Sequence, residues 1–360
     1  SEYETGSRKP LRYTWQMTEV ITFTERGIYC PAGDFYIDPW RPVGRAVITH
    51  GHADHARPGM GHYLATHAAL PVMRLRLGAI AAQGLNYGET CQIGAARVSL
   101  HPAGHVPGSA QVRVEVGGEV WVVSGDYKVE ADGVSEPFAP VACHSFISEC
   151  TFGLPLFRWQ PQAEIAAEIA AWWAQNAAEG RVSFLGAYSL GKAQRVLSLL
   201  DPSQGPILTH AAVEATNEVL RAQGYHLTAS QKITPELDRK AQAGALVICP
   251  PGALASPWAR RFGPGSEAMA SGWMRLRGIR RRRGADRGFV ISDHADWPGL
   301  LLAIKETGAE NVYVTHGYTD IFARHLAELG YNAAVIPTEF GGETGAEAPE
   351  TDMPEGASAR

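Results

Sequence analysis

The run Thr49-His50-Gly51-His52-Ala53-Asp54-His55 constrains this chain more than any other feature. It sets three imidazoles and a carboxylate within six residues, directly after Arg45-Ala46-Val47-Ile48. That preceding run reads as a buried strand. In an extended backbone His50 and His52 point to the same side, where one metal ion could take both. A turn after the strand then sends Asp54 and His55 toward a second ion. Neutral imidazole and carboxylate suit zinc or a similar divalent ion.

Three further strand ends carry residues of the same chemistry. His105 follows the expected strand Ala96-Arg97-Val98-Ser99-Leu100, Asp126 ends Val120-Trp121-Val122-Val123-Ser124-Gly125, and His316 ends Asn311-Val312-Tyr313-Val314-Thr315. Each sits where an apolar, β-branched run meets glycine, which is where a sheet hands side chains to a loop-built site.

Composition narrows the setting. With 360 residues, 45% of them hydrophobic, the sequence can build one large core and a second, smaller unit. The net charge of −5 means that nucleic-acid binding has to come from a local basic surface. Five cysteines (Cys30, Cys91, Cys143, Cys150, Cys249) are scattered without CxxC spacing, which argues for a reducing compartment rather than a disulfide scaffold. Ser1 to Gln16 hold no apolar core of a signal peptide, and no apolar run approaches the roughly 20 residues that span a bilayer. The expectation is a cytoplasmic protein with no membrane partner.

Spacing sets the architecture. His50 to Asp126 cover 77 residues, yet His316 comes 190 residues after Asp126. A Pro- and aromatic-rich joint (154–160) opens the intervening stretch. A helix through Ala163 to Trp173, a strand at Arg181-Val182-Ser183-Phe184-Leu185-Gly186, and a helix from Leu190 to Leu200 follow. Strands at Pro206-Ile207-Leu208-Thr209 and Ala245-Leu246-Val247-Ile248 complete what reads as a compact α/β insert. The Gly-, Ala-, Pro- and Glu-rich tail 341–360 reads as disordered.

From about Phe23 to Phe340 this pattern resembles the metallo-β-lactamase superfamily, and the insert makes it similar to the β-CASP nucleases. The phrases YIDPWRPVGRAVITHGHADHARPG, GAYSLGKAQR and ISDHADW carry the likeness. The resemblance implies an α/β fold, a metallo-β-lactamase αββα sandwich (17–155 and 288–340) interrupted by a β-CASP cap (156–287). It implies two divalent ions, zinc or alternatively manganese. His50, His52, His105 and Asp126 would hold the first, and Asp54, His55, Asp126 and His316 the second. Asp38, in Phe35-Tyr36-Ile37-Asp38-Pro39, would orient the histidine loop by hydrogen bonds from behind the ligands. Glu149 and His294 match an acidic and a histidine motif at the leaving group, where a carboxylate orients an imidazole that protonates the departing oxygen. Asp54 belongs to the implied catalytic set as well.

Two divalent ions outweigh the carboxylates of Asp54 and Asp126, so such a site attracts anions. A metal pair roughly 3.5–4 Å apart suits phosphodiester hydrolysis, although lactams and thioesters use the same chemistry. Backbone NH groups near Gly186 to Lys192, with Ser189 and Lys192, are expected to hold phosphate. The basic run Arg275 to Arg283, with Arg280, Arg281, Arg282 and Arg283 consecutive, is expected to follow a nucleic-acid backbone. Trp258, Phe262 and Trp273 either stack on bases or pack in the core.

The leading expectation is a DNA exonuclease of repair, resembling the Artemis-like bacterial enzymes encoded beside an ATP-dependent DNA ligase and a helicase. Those two proteins are the expected partners besides DNA. His316 is the residue typical of RNA-processing members, so an RNA-processing nuclease is the alternative. A catalytically inactive nucleic-acid-binding scaffold is the reading from another class. A di-iron oxygen reductase fits poorly, because it has Glu where His52 stands.

Overall fold

Strand pairing, more than local propensity, organises the chain. The computed structural model describes residues 20–254, 256–278 and 285–338, which build three β-sheets with flanking helices. The first sheet runs in sequence order through Thr22–Thr24, Gly27–Cys30, Phe35–Ile37, Arg45–Val47, His62–Thr66 and Ala82–Leu85. It opens antiparallel and becomes parallel from Phe35–Ile37 onward.

The second sheet begins as an antiparallel meander of Thr90–Ile93, Ala96–Pro102, Ala110–Val116 and Glu119–Val123. It continues in parallel through Ser145–Cys150, Asn311–Gly317 and Asn332–Val335. The chain thus leaves this sheet after Cys150 and re-enters it beside the same strand at Asn311.

Inward-facing residues of both sheets, among them Ile28, Phe35, Val47, Val98, Val112 and Trp121, share one core cluster. This is face-to-face sheet packing driven by apolar burial. The helix Leu70–Leu77 covers the outer face of the first sheet through Leu70 and Met73, against Ile48 and Tyr63. Helices Trp297–Thr307 and Thr319–Glu328 cover the second through Leu300, Ile304, Phe322 and Leu326, against Phe146 and Val312. Through the molecule the order is helix, sheet, sheet, helices, an α/β metallo-hydrolase-like arrangement.

The third sheet lies wholly between residues 182 and 289. Its order is Gln231–Lys232, Ile207–Thr209, Leu246–Cys249, Val182–Gly186, Gly265–Ala270 and Arg287–Phe289, all pairs parallel. Val182–Gly186 and Leu246–Cys249 are buried throughout, as strands covered on both faces must be. Helix Gln162–Ala178 supplies Ile165, Ile169, Trp172 and Trp173 to this core, a stripe at helical spacing. The expected strand at Arg181 to Gly186 and the helix within Leu190 to Leu200 appear as Val182–Gly186 and Lys192–Ser198. Gly265–Ala270 is a strand that sequence reading did not name; its Gly-Ser-Glu-Ala-Met-Ala run lacks β-branched residues.

All five cysteines are free thiols. Among the described residues no helix is long and apolar enough to cross a membrane. The tail 341–360 and Arg280, Arg281, Arg282 and Arg283 lie outside the described residues.

Candidate metal centre

The histidine loop begins where the strand Arg45–Val47 runs out. Ile48 N still donates to Leu64 O at 2.8 Å, and the chain then turns over Asp38. The Asp38 carboxylate accepts from Thr49 N (2.8 Å), Thr49 Oγ1 (2.5 Å) and His55 Nδ1 (2.7 Å). Asp38 itself sits at φ 43°, a left-handed conformation uncommon for a non-glycine residue. Arg76, from helix Leu70–Leu77, donates to the carbonyl of Gly51 at 3.2 Å and to that of Ala56. The loop is therefore gripped from both sides, by an anion at its hydroxyl and imidazole and by a cation at its carbonyls.

Hydrogen bonds at the outer nitrogens assign the tautomers of three imidazoles. Thr49 Oγ1 gives its proton to Asp38, so at 3.0 Å it accepts from His50 Nδ1. His52 donates through Nε2 to the carbonyl of Leu190 at 3.0 Å, and His105 through Nδ1 to that of Asp293 at 2.8 Å. A carbonyl can only accept, so the other ring nitrogen of each histidine carries a lone pair. Those lone pairs converge: His50 Nε2 to His52 Nδ1 is 3.1 Å, and His52 Nδ1 to His105 Nε2 is 3.1 Å. Acceptor nitrogens repel at that distance unless a cation sits among them. Zinc–nitrogen bonds of about 2.0–2.1 Å imply tetrahedral edges near 3.3–3.4 Å. The donor set thus fits a metal ion by both chemistry and spacing.

Asp126 joins this cluster, and the four ligand atoms lie within 4.8 Å of one another. Its Oδ2 stands 3.6 Å from His50 Nε2 and 3.7 Å from His105 Nε2. The same oxygen is 3.3 Å from His55 Nε2, so it faces a second group made of Asp54, His55 and His316. Asp126 Oδ1 is buried with no hydrogen-bond partner among the described residues. A carboxylate so placed is suited to bridging two ions.

His316 reaches this second group through a β-bulge. Glu149 pairs with Thr315 and Cys150 with Gly317, which leaves His316 outside the ladder at φ 59°. Such an insertion re-aims a side chain. Gly317, at φ 82°, completes the bend; a Cβ there would lie 2.2 Å from Cys150 O. The Cys150 thiol donates to the His316 carbonyl at 2.8 Å.

Electrostatics sharpen the reading. Burial holds His50, His105 and His316 below the usual imidazole range, helped at all three by neighbouring imidazoles. Neutral imidazole is the form that ligates metals. Burial also opposes charge on His55, yet Asp126 and Asp54 outweigh it and raise that histidine well above its ordinary value. Burial would push Asp126 up, but His55 and His294 hold it well below the carboxylate range. The second group calls for positive charge.

Against both groups stands the pair His294 and Glu149, which shares a ligand-spaced cluster with Asp126. His294 Nδ1 lies 2.8 Å from Glu149 Oε1, and Glu149 also accepts from Tyr127 N (2.9 Å) and Thr151 Oγ1 (2.5 Å). Trp159 Nε1 donates to the His294 carbonyl at 2.9 Å. The structure therefore brings together His50, His52, Asp54, His55, His105, Asp126 and His316, with Asp38 behind them and Glu149 and His294 alongside.

The two residues expected to contact phosphate lie inside the protein. Lys192 is fully buried, with its ammonium 3.0 Å from Asp293 Oδ1 instead of turned to solvent, and Ser189 is 9% exposed. Phe262 and Trp273 are core residues, at 3% and 4% exposure. Sequence reading missed Arg76, Thr49 and Trp159. Thr49 stands inside the motif, but the bonds of Arg76 and Trp159 span 20 or more residues and leave no local signal.

No family model matches the chain. Over 313 residues, 86% of its length, it is 33% identical to a protein of Opitutus terrae named "Probable DNA ligase", of which this covers 30%. It is 28% identical over 196 residues to "Ribonuclease TTHA0252" of Thermus thermophilus, covering 46% of this chain and 44% of that protein. With "Endoribonuclease YSH1" of Candida albicans it shares 29% identity over 119 residues, 32% of this chain and 13% of that one. Together with the ligand clusters, these likenesses support a metallo-β-lactamase/β-CASP superfamily protein. The chain spans less than half the length of each of these relatives. A crystal structure of a protein of unknown function from Enterococcus faecalis V583 is similar to this chain in fold. The TM-score is 0.56 at 12% identity, covering 82% of this chain and 79% of that one. The clustered ligands support metal-dependent hydrolase activity in general.

Proposed function

We propose that the chain is a metal-dependent nuclease and that RNA is its substrate. The observation that carries this reading is the convergence of lone-pair nitrogens from His50, His52 and His105 on a point shared with Asp126. His50, His52, His105 and Asp126 would hold one divalent ion, and Asp54, His55, Asp126 and His316 the other, zinc by donor type and manganese as the substitute. When bound, such a pair activates water and neutralises charge on a phosphoryl group.

The chain's own residues then divide the work. Asp38 keeps the Nδ1 proton of His55 on the side away from the site. His294 Nδ1 donates a hydrogen bond to Glu149, which leaves Nε2 facing the site; in the doubly protonated ring Nε2 would hold the proton for the departing oxygen. In this reading residues 17–155 and 288–340 form the metallo-β-lactamase sandwich and 156–287 the cap. The departure of the second sheet at Cys150 and its resumption at Asn311 support that division. Arg275 and Arg277 are exposed at the end of the third sheet's unit, where cations can follow a phosphate backbone.

The nuclease relatives are named as ribonucleases, which favours this substrate over the DNA-repair exonuclease expected from sequence. A second reading, DNA hydrolysis, draws on the longer match to the protein named as a DNA ligase. That match is a sequence relationship; a ligase or helicase as physical partner is a proposal of the DNA reading only. The test is cleavage of end-labelled RNA and DNA of one sequence, single-stranded, with Zn2+ or Mn2+. Faster turnover of RNA supports the proposal. DNA cleaved with RNA left intact selects the second reading, and neither cleaved by a metal-loaded chain selects the binding scaffold.

A further inference from the structure

Two of the three converging imidazoles are held from outside the strand-end loops, and their supports are tied to each other. His52 leans on the carbonyl of Leu190 and His105 on that of Asp293, at 3.0 and 2.8 Å. Two residues beyond Leu190, the ammonium of Lys192 meets the side chain of that same Asp293 at 3.0 Å, with both residues almost entirely buried. The contacts close a ring: His52, Leu190, Lys192, Asp293, His105, and back to His52 across 3.1 Å. Between Leu190 and Lys192 the backbone has no slack. Gly191 sits at φ 90°, and a Cβ there would fall 2.2 Å from Val106 Cγ1, next to His105.

Resting on the metal reading above, we infer that Lys192 is a positioning residue of the first metal site. Its ion pair with Asp293 fixes the two carbonyls that orient His52 and His105, and so couples the third sheet's unit to metal affinity. Lys192 opens the helix Lys192–Ser198, which follows the strand Val182–Gly186 through one loop. Displacement of that helix therefore moves the Leu190 carbonyl and the Lys192 ammonium together. Groups that orient ligating imidazoles commonly alter metal affinity by about 10–100-fold when removed.

Arg195 provides the control. It lies on the same helix, 2% exposed, and its guanidinium pairs with Asp132 at 2.8 Å. Its loss would disturb the helix without touching a carbonyl that supports an imidazole. Lys192→Met leaves a lone buried carboxylate, a destabilising change in itself, so Lys192→Met/Asp293→Asn is tested beside it.

The experiment titrates Zn2+ alone against a coloured chelator. It uses the full chain and a His316→Ala chain, in which the first cluster keeps its whole ligand set and the second group lacks one ligand. Thermal melting in excess chelator reports the metal-free fold. The expected result is first-site affinity weakened about 10–100-fold in both Lys192 variants and held within about twofold in Arg195→Met. Wild-type affinity in Lys192→Met/Asp293→Asn would overturn the inference. So would an equal loss in Arg195→Met, which would mark a merely structural role. A wild-type chain that takes up no Zn2+ would instead overturn the metal reading, and this inference with it.

Discussion

His294 Nδ1 stands 2.8 Å from Glu149 Oε1 across 145 residues of sequence, and both residues are buried. The carboxylate accepts from Tyr127 N and Thr151 Oγ1 as well, so it is a fixed reference against which the imidazole is oriented. Glu149→Gln keeps the shape and removes the charge that selects the tautomer. Turnover should fall about 10²–10⁴-fold, the range for losing a positioned general acid, with KM little changed. His294→Ala should fall by a similar factor, and the double variant hardly further, because the two act as one unit. Single-turnover rates with metal content measured in parallel check this. A double variant whose losses multiply would show that the two residues act separately.

One oxygen of Asp126 approaches imidazoles of both ligand groups, at 3.3 Å from His55 and 3.6 Å from His50. Asp126→Ala should therefore disturb both ions together. Elemental analysis should find fewer than about one ion per chain where the parent holds about two, with activity lost. Chelation of the parent should abolish activity reversibly, with Zn2+ or Mn2+ restoring it. Retention of two tightly held ions by Asp126→Ala would refute the shared-ligand geometry.

Much of this centre was legible because its residues mark the ends of strands. His50 to His55, His105, Asp126 and His316 each follow an apolar run, and a sheet gathers such ends on one side. What lay hidden were partners that only tertiary structure creates. The carbonyls of Leu190 and Asp293 have no side-chain signature, and each meets its histidine across more than a hundred residues. The surroundings of Lys192 were hidden for the same reason. Gly-Lys at a helix start looks like a phosphate grip, and nothing local says that Asp293 will bury it. The third sheet was partly visible through Val182–Gly186 and Leu246–Cys249, whereas Gly265–Ala270 is recruited by its neighbours despite poor propensity.

Asp38 should act selectively. It accepts the Nδ1 proton of His55, a member of the second group, and reaches the first only through Thr49 and His50. Asp38→Asn should weaken the second-site ion by about 10–100-fold and the first by less. Metal-competition titration resolves the two. Equal weakening of both would mean that Asp38 supports the whole loop and not His55 in particular.

Gly317 tests the bulge that delivers His316. Alanine there would take up φ 82° and bring its Cβ to 2.2 Å from Cys150 O, a contact that backbone atoms must move to relieve. Left-handed strain costs about 1–3 kcal/mol, and relief of the clash would shift the His316 backbone whose carbonyl meets the Cys150 thiol. The melting temperature in chelator should fall. Turnover should fall further than stability predicts, since a ligand misplaced by about 1 Å can cost roughly 10²-fold. Cys150→Ala is the comparison, because it loosens the same strand but leaves Gly317 and its conformation in place. If Gly317→Ala melts and turns over like the parent, the bulge does not position His316.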